Sequence, residues 1–421
     1  MNAWIVAVGS EMLTPLKVDT NSLAVTTRLN AIGCDVRMKA IVGDDVSELA
    51  GVLERGIGTV GLIVCTGGLG PTEDDVTREA AARVMDAPLE PSGAILARIR
   101  ERFAARGLEM PAINQRQALV PHGATVLENE RGTAPGLLME RAGTTVLLLP
   151  GPPSEMVPML ESVIERVLLP SAAGRRLVRR VLRVYGKPES EVDSIAAPVY
   201  RPWTQAAVPI VTTILASMGQ IELHLTAQAA SQDEADAALD AAVRELCAVL
   251  GPSVYSTDGR TMEAVLGEML SRRGLTIAVA ESCSGGLLAS RLTDVPGSSG
   301  YFEGAVVSYS NRSKTEWLDV PAALIAEHGA VSEPVATAMA RGIRARTGAS
   351  VGIGITGIAG PGGATPGKPV GTVAIAMTTP NGEAARTFRF PGARDMVKFQ
   401  STQAAMNMLR LALDGEAVHR R

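Results

Sequence analysis

Gly61-Leu62-Ile63-Val64-Cys65-Thr66-Gly67-Gly68-Leu69-Gly70-Pro71-Thr72-Glu73-Asp74-Asp75-Val76-Thr77 is an apolar run that stops at glycines and gives way to a polar loop and a helix. A short apolar run of this kind is a buried strand, and a strand that feeds a helix through a glycine loop is half of a parallel βαβ unit. Its flanks repeat the pattern. Ala3–Val8, Asp35–Val42 and Thr144–Leu149 read as strands. Ser22–Ile32, Val46–Arg55, Val76–Met85 and Ile95–Ala104 read as helices. The alternation predicts a parallel sheet covered by helices on both faces, closing near Pro170.

The texture then changes twice. From 171 to 258, Arg179–Tyr185 and Gln220–Gln228 read as strands, and Glu189–Ile195 and Asp233–Leu250 as helices. This is a small α+β module, ended by the turn-rich Gly251–Gly259. Beyond it the alternation returns. Leu275–Ala280, Gly304–Tyr309, Ser350–Thr356 and Gly371–Met377 are expected strands. Met262–Arg273, Cys283–Leu292, Pro334–Thr347 and Lys398–Leu413 are expected helices. The fold class is therefore α/β: two three-layer α/β domains with mainly parallel sheets (1–170 and 259–421), joined by the α+β module (171–258).

Composition narrows the function. With 421 residues and 46% apolar content, the chain can bury several cores. A formal net charge of −4 and only 3% aromatics argue against a dedicated nucleic-acid binder. Cys34, Cys65, Cys247 and Cys283 form no CxxC pair, which fits buried thiols in a reducing, cytoplasmic compartment. His122, His224, His328 and His419 form no zinc-binding pattern. The start, Met1–Leu13, reads as a first strand rather than a secretory signal, and no apolar run reaches membrane-spanning length.

Two segments carry chemistry. In the Cys65–Thr77 loop, glycines let backbone N–H groups approach an anion, and the adjacent carboxylates could hold a divalent cation against a phosphate. The same spacing, Thr72 to Asp75, also fits a helix capping box. Other polar loops, Asn129–Gly136 and Leu149–Met156, fall at strand ends, as a pocket in a doubly wound sheet requires.

The second segment is Ala280-Glu281-Ser282-Cys283-Ser284-Gly285-Gly286, at a strand-to-helix turn. Ser282 there is a candidate nucleophile or an ordinary N-cap. The domain offers it no well-placed histidine, so a lysine made basic by burial is the alternative acceptor. Ser308-Tyr309-Ser310-Asn311-Arg312-Ser313-Lys314 leaves a strand and could bring Tyr309 and Lys314 to the same sheet edge; they could equally be surface residues.

Three other features are weaker. Gly352–Gly357 satisfies GxGxxG but is followed by Pro361 instead of a helix. Gly362–Pro369 misses a phosphate loop at Pro369, which supplies neither hydroxyl nor N–H. Arg175, Arg176, Arg179, Arg180 and Arg183 form a basic cluster without interleaved aromatics, read as a solvated strand face.

The motifs, taken together, resemble the CinA family over nearly the whole chain. Gly9–Glu11, Asp19–Ser22, the glycine loop, Asn114–Pro121, Gly132–Gly136 and Pro150–Met156 look like its molybdopterin-binding-like domain. That resemblance implies metal-dependent ADP-ribose pyrophosphatase activity, with Gly68, Gly70 and Thr72 on phosphates and a divalent cation such as Mg²⁺ organised by Asp74 and Asp75. Asp19, Asn21 and Glu155 are further candidates, and Glu11 is a candidate or a structural acid. Binding of molybdopterin instead is the alternative.

The 280–286 turn, Tyr309–Lys314, Ser332–Ala336, Thr356–Pro361 and Lys368–Val373 look like the family's C-terminal domain, similar to nicotinamide mononucleotide deamidases. Ser284 stands where that family usually has threonine. The resemblance implies Ser282 as nucleophile, Tyr309 and Lys314 as its activators, and the Cys283–Gly285 amides as the oxyanion site. It also implies Thr356 and Arg394 in the substrate pocket and no cofactor. The middle module resembles the family's KH-like domain but lacks a GXXG loop, and a spacer and homodimer role is expected for it. A non-catalytic competence or DNA-damage accessory protein is the competing class.

Overall fold

The computed structural model describes residues 1–169, 176–217 and 219–415. Pro170, Arg175 and His419 lie outside the described residues. Two compact units are distinguished: Met1–Val178 with Ala227–Ala238, and Arg179–Thr226 with Leu239–Arg421.

The first unit contains eight strands: β1 (Asn2–Val8), β2 (Asp35–Val42), β3 (Leu62–Thr66), β4 (Leu89–Pro91), β5 (Leu119–Pro121), β6 (Thr125–Leu127), β7 (Gly136–Arg141) and β8 (Thr144–Leu149). Six form one sheet in the order β2-β1-β3-β8-β7-β6, and β4 pairs with β5. β2, β1, β3 and β8 run parallel. β3 is buried along its whole length, as a central parallel strand must be. Its alternate residues serve opposite cores. Leu62 and Val64 pack with Leu29 and Leu160 of the helices Asn21–Ala31 and Pro153–Val163. Ile63 and Cys65 pack with Leu53 and Val84 of the helices Val46–Gly56 and Thr77–Met85. This is the three-layer arrangement expected.

The antiparallel edge, β7 and β6, is not in the alternation pattern. β7 and β8 are joined by Ala142 (φ 49°) and Gly143 (φ 76°). Both are left-handed, as a two-residue hairpin requires, but only the glycine advertises it in sequence.

β9 (Arg176–Tyr185), β10 (Ile210–Ser217), β11 (Gln220–Ala229) and β12 (Val254–Ser256) form a sheet in the order β10-β11-β9-β12. Arg183 pairs with Glu222 across it, and Arg180 with Asp240. These arginines are thus at least partly neutralised by the module's own acids.

β13 (Ile277–Glu281), β14 (Phe302–Val307), β15 (Val351–Gly357), β16 (Thr372–Thr379) and β17 (Gly382–Arg389) form the last sheet, ordered β14-β13-β15-β16-β17. β14, β13 and β15 are parallel; β16 and β17 extend them antiparallel. The GxGxxG look-alike has a packing role here. A Cβ on Gly352 or Gly354 would lie 2.2 Å from the carbonyl of Ala340 or Ala336, so these glycines let helix Glu333–Thr347 lie directly on β15.

Two helices differ from expectation in ways that matter to function. The expected Cys283–Leu292 helix begins only at Leu287, because Gly285 (φ 65°) and Gly286 (φ 89°) are left-handed. The expected Lys398–Leu413 helix begins a turn earlier, at Arg394.

Candidate active sites

β13, β14 and β15 end at one edge of the last sheet, and the chain after each contributes to a single cluster. Ligands gather at such carboxyl ends in open α/β sheets. β13 continues into Ser282, whose N–H donates to the Ile355 carbonyl (2.9 Å), so the turn leaves the sheet under restraint. Glu281, fully buried, then turns back over the loop. Its carboxylate accepts from the amides of Gly286 (3.1 Å), Leu288 (3.1 Å) and Ala289 (2.8 Å). The first helical amides are therefore capped by Glu281. Ser282 is not the N-cap: that position is Gly286, four residues on. Its hydroxyl is free for another partner.

That partner is Lys314. Lys314 follows β14 on the helix Asn311–Leu318, which a Ser310/Ser313 capping box starts. The lysine is 1% exposed, and its Nζ donates to Ser282 Oγ (3.0 Å) and to the Ser308 carbonyl (2.8 Å). Burial pushes the amine down from 10.5 to about 8, partly opposed by the Cys283 thiol. A neutral amine is thus accessible near neutral pH, in contact with a hydroxyl that is itself 7% exposed.

The remaining predicted residues are placed differently. Tyr309, 61% exposed, accepts a hydrogen bond from Arg394 (2.8 Å), and Arg394 also donates to the Gly360 carbonyl (2.8 Å). The structure thus brings Ser282 and Lys314 together and puts the Tyr309 hydroxyl on Arg394. Thr356, at the end of β15, is buried and donates to Ala330 O (2.8 Å). Glu281 takes the amides of Gly286, Leu288 and Ala289, just beyond the Cys283–Gly285 amides expected at an oxyanion. Gly285 N–H turns to Ser282 O. Among the described residues, the amides of Cys283 and Ser284 are the ones in this turn with no carbonyl or carboxylate acceptor. Ser284 Oγ is buried without a partner. The Gly362–Pro369 look-alike is a self-paired turn, with Lys368 donating to the His328 carbonyl (2.8 Å).

The first unit holds a cavity of about 600 Å³ at the carboxyl ends of β1 and β3, within the size range of small-molecule sites. Gly68, Gly70, Asp74, Asp19, Asn21 and Glu155 all line it, as do Glu11 and Asp75. The glycine loop is held from within. Asp75 Oδ1 accepts from Gly70 N (2.8 Å), and Oδ2 from Thr72 N (2.9 Å) and Thr72 Oγ1 (2.6 Å). The donors assigned to phosphate at Gly70 and Thr72 are committed to this carboxylate. A Cβ on Gly68 would lie 2.1 Å from Thr77 Oγ1, so glycine is required there by packing as well. The amides of Gly68 and Leu69 have no acceptor among the described residues. Thr66 Oγ1 and Asn21 Oδ1 are buried and unpartnered at the cavity wall.

Asp19 accepts from Ser22 N (2.9 Å), Glu155 from Asn129 (2.7 Å), and Glu11 pairs with Lys17 (2.6 Å). No group of three or more His, Cys, Asp or Glu is placed to hold a metal by itself among the described residues.

Three residues escaped the sequence reading: Glu281, Arg78 and Lys398. Arg78 is buried and donates to the carbonyls of Leu69 (2.7 Å) and Gly70 (2.8 Å), anchoring the glycine loop. A charged residue inside an otherwise apolar strand end or helix face was the signal for the first two.

Residues 259–413 match the model of the CinA C-terminal domain. Residues 4–170 match a "Probable molybdopterin binding domain", and 179–256 the damage-inducible protein CinA KH domain. The chain is 45% identical over 417 residues to a CinA-like protein of Koribacter versatilis, covering 98% of this chain and 100% of that one. It is 42% identical over 420 residues to a CinA-like protein of Solibacter usitatus, covering 99% of each. Among solved structures, a competence-damaged protein (CinA) superfamily protein from Klebsiella pneumoniae is 34% identical, covering 37% of this chain and 96% of its own, with a TM-score of 0.36. The protein CinA from Thermoplasma acidophilum is 32% identical, covering 39% and 98%, with a TM-score of 0.37. No helix among the described residues is long and apolar enough to cross a membrane.

Proposed function

The chain belongs to the CinA family, and on that premise we propose that its C-terminal domain is a serine amidohydrolase acting on nicotinamide mononucleotide. The observation that carries this reading is the buried Lys314 amine 3.0 Å from Ser282 Oγ. A lysine brought down to about 8 by burial does for serine what histidine does elsewhere.

Ser282 Oγ attacks the carboxamide carbon while its proton passes to Lys314. The amides of Cys283 and Ser284 meet the oxygen that becomes negative. The C–N bond breaks, and ammonia leaves with the proton that Lys314 returns. Water then attacks the acyl ester, again losing a proton to Lys314, and Ser282 is regenerated as nicotinic acid mononucleotide departs. Lys314, in contact with Ser282, is the proton carrier, and Tyr309, whose hydroxyl accepts from Arg394 and keeps its own proton to donate, forms a substrate-facing pair with Arg394.

The sign of the pH dependence follows from which form is active. Lys314 must be neutral to accept the serine proton, so kcat/KM rises with unit slope up to about pH 8 and levels above it. Stability shifts in the window above it. Between about 8 and 10.5 the unfolded chain retains a proton on this lysine that the folded chain has lost, so stability rises with pH there. Ammonia release measured from pH 6 to 10 checks the profile; a rate flat from 7 to 9 excludes Lys314 as the base.

For the first domain we infer a metal-dependent ADP-ribose pyrophosphatase site, supported by the cavity with its unpartnered Thr66 and Asn21 oxygens and the free Gly68 and Leu69 amides. The donor set fits Mg²⁺ only in its usual phosphate-bridged form, with water and one or two carboxylates. Asp74, at the cavity wall, would hold it; Asp75 is spent on the loop. When bound, the ion would neutralise the diphosphate charge. AMP release from ADP-ribose is expected to need Mg²⁺ and to fall about 10- to 100-fold in Asp74→Asn. Equal rates with Mg²⁺ and with a chelator would exclude the reading.

A further inference from the structure

Arg394 and Lys398 are four residues apart on one helix and share a face. Arg394 holds the Gly360 carbonyl and the Tyr309 hydroxyl, both neutral acceptors. Lys398 is half-buried and, among the described residues, has neither an ion pair nor a hydrogen bond. Its position is fixed by Gly285: a Cβ built there would lie 3.5 Å from Lys398 Nζ and 3.8 Å from its Cε. The ammonium therefore stands against the turn that carries Ser282. The charge is not neutralised from within the turn either, because the Glu281 carboxylate is buried under three amides. Ser284 Oγ, fully buried in the same turn, has no partner. A half-buried cation with no counter-charge, beside an unpartnered hydroxyl and a nucleophile, is a place for an anion carried by the substrate.

We propose that Lys398 binds the 5′-phosphate of the mononucleotide, and so selects mononucleotides over nucleosides and free nicotinamide; this rests on the amidase reading above. Lysine suits the task as a compact point charge for a phosphate dianion. Arg394, one turn earlier, is oriented by the Tyr309 hydroxyl and the Gly360 carbonyl, whereas Lys398 is the cation with no hydrogen-bond partner among the described residues.

The test has two arms on the full chain. In the first, ribose 5-phosphate is titrated calorimetrically with a metal chelator and saturating AMP present, so that the metal-dependent site of the first domain does not take it up. Wild type binds it, Lys398→Ala weakens binding about tenfold to a hundredfold, and Lys398→Arg keeps most of it. No binding to wild type, or equal binding to wild type and Lys398→Ala, overturns the proposal. In the second, kcat/KM is compared for nicotinamide mononucleotide and nicotinamide riboside. Lys398→Ala lowers the preference for the mononucleotide by about the same factor, through KM. A loss of equal size on both amides overturns the proposal, since a merely structural lysine would produce it. A wild type inert on both amides would dismiss the amidase reading, while the ribose 5-phosphate arm would still decide the role of Lys398.

Discussion

Ser282→Ala abolishes ammonia release from nicotinamide mononucleotide, by about 10³-fold or more, and leaves the fold intact. The size follows from what the hydroxyl does: with no nucleophile, the acyl intermediate cannot form, and only binding and oxyanion contacts persist. The fold survives because the hydroxyl is not part of the helix start, which Glu281 caps independently. Lys314→Met is expected to cost about as much as the serine, since the two act as a unit. The double variant is then no worse than either alone. Lys314→Met also removes a buried ammonium and replaces it with an apolar chain of similar length, so it is neutral or stabilising. Activities that multiply in the double variant would mean that Lys314 and Ser282 contribute separately, and the dyad would have to be given up.

The parallel strands of both outer domains were legible because buried strands such as β3 and β13 are continuous apolar runs that end at glycine or at a polar turn. The antiparallel edges were not. β7 is too short to show a period of its own, and the turn that pairs it with β8 puts Ala142 in a conformation its side chain does not announce. β17 could have been found, since Asn381-Gly382 is a strong hairpin signal. At the site, residue types made Ser282 and Lys314 candidates beside equally good structural readings, and the family resemblance singled them out. Their 3.0 Å contact depends on the crossing of β13 and β14, which no local spacing encodes. The same holds in reverse for Tyr309. It is five residues from Lys314, yet the partner its hydroxyl accepts from is Arg394, 85 positions along the chain. In the glycine loop, the motif shows which residues are present but not that Asp75 has already taken the donors of Gly70 and Thr72.

Glu281→Ala should loosen the nucleophile's turn more than any change to the nucleophile itself. Glu281 is buried completely, so its removal leaves the amides of Gly286, Leu288 and Ala289 without acceptors in a place water reaches poorly. An unsatisfied buried amide costs about 1–3 kcal/mol, so a local loss of about 3–5 kcal/mol is expected after partial relaxation. Glu281→Gln should cost less, because one oxygen can still serve Gly286 and Leu288 together, as Oε2 does now. Its amide nitrogen then faces the Ala289 N–H, donor against donor, so the variant falls between wild type and alanine. Native-state hydrogen exchange over residues 281–292 reads this directly, with faster exchange in alanine than in glutamine and in glutamine than in wild type. Activity should follow the same order, since the Cys283 and Ser284 amides are aimed by the turn that Glu281 closes. Protection unchanged in Glu281→Ala would show that the turn holds itself, and that the acid in this motif belongs to the chemistry rather than to the scaffold.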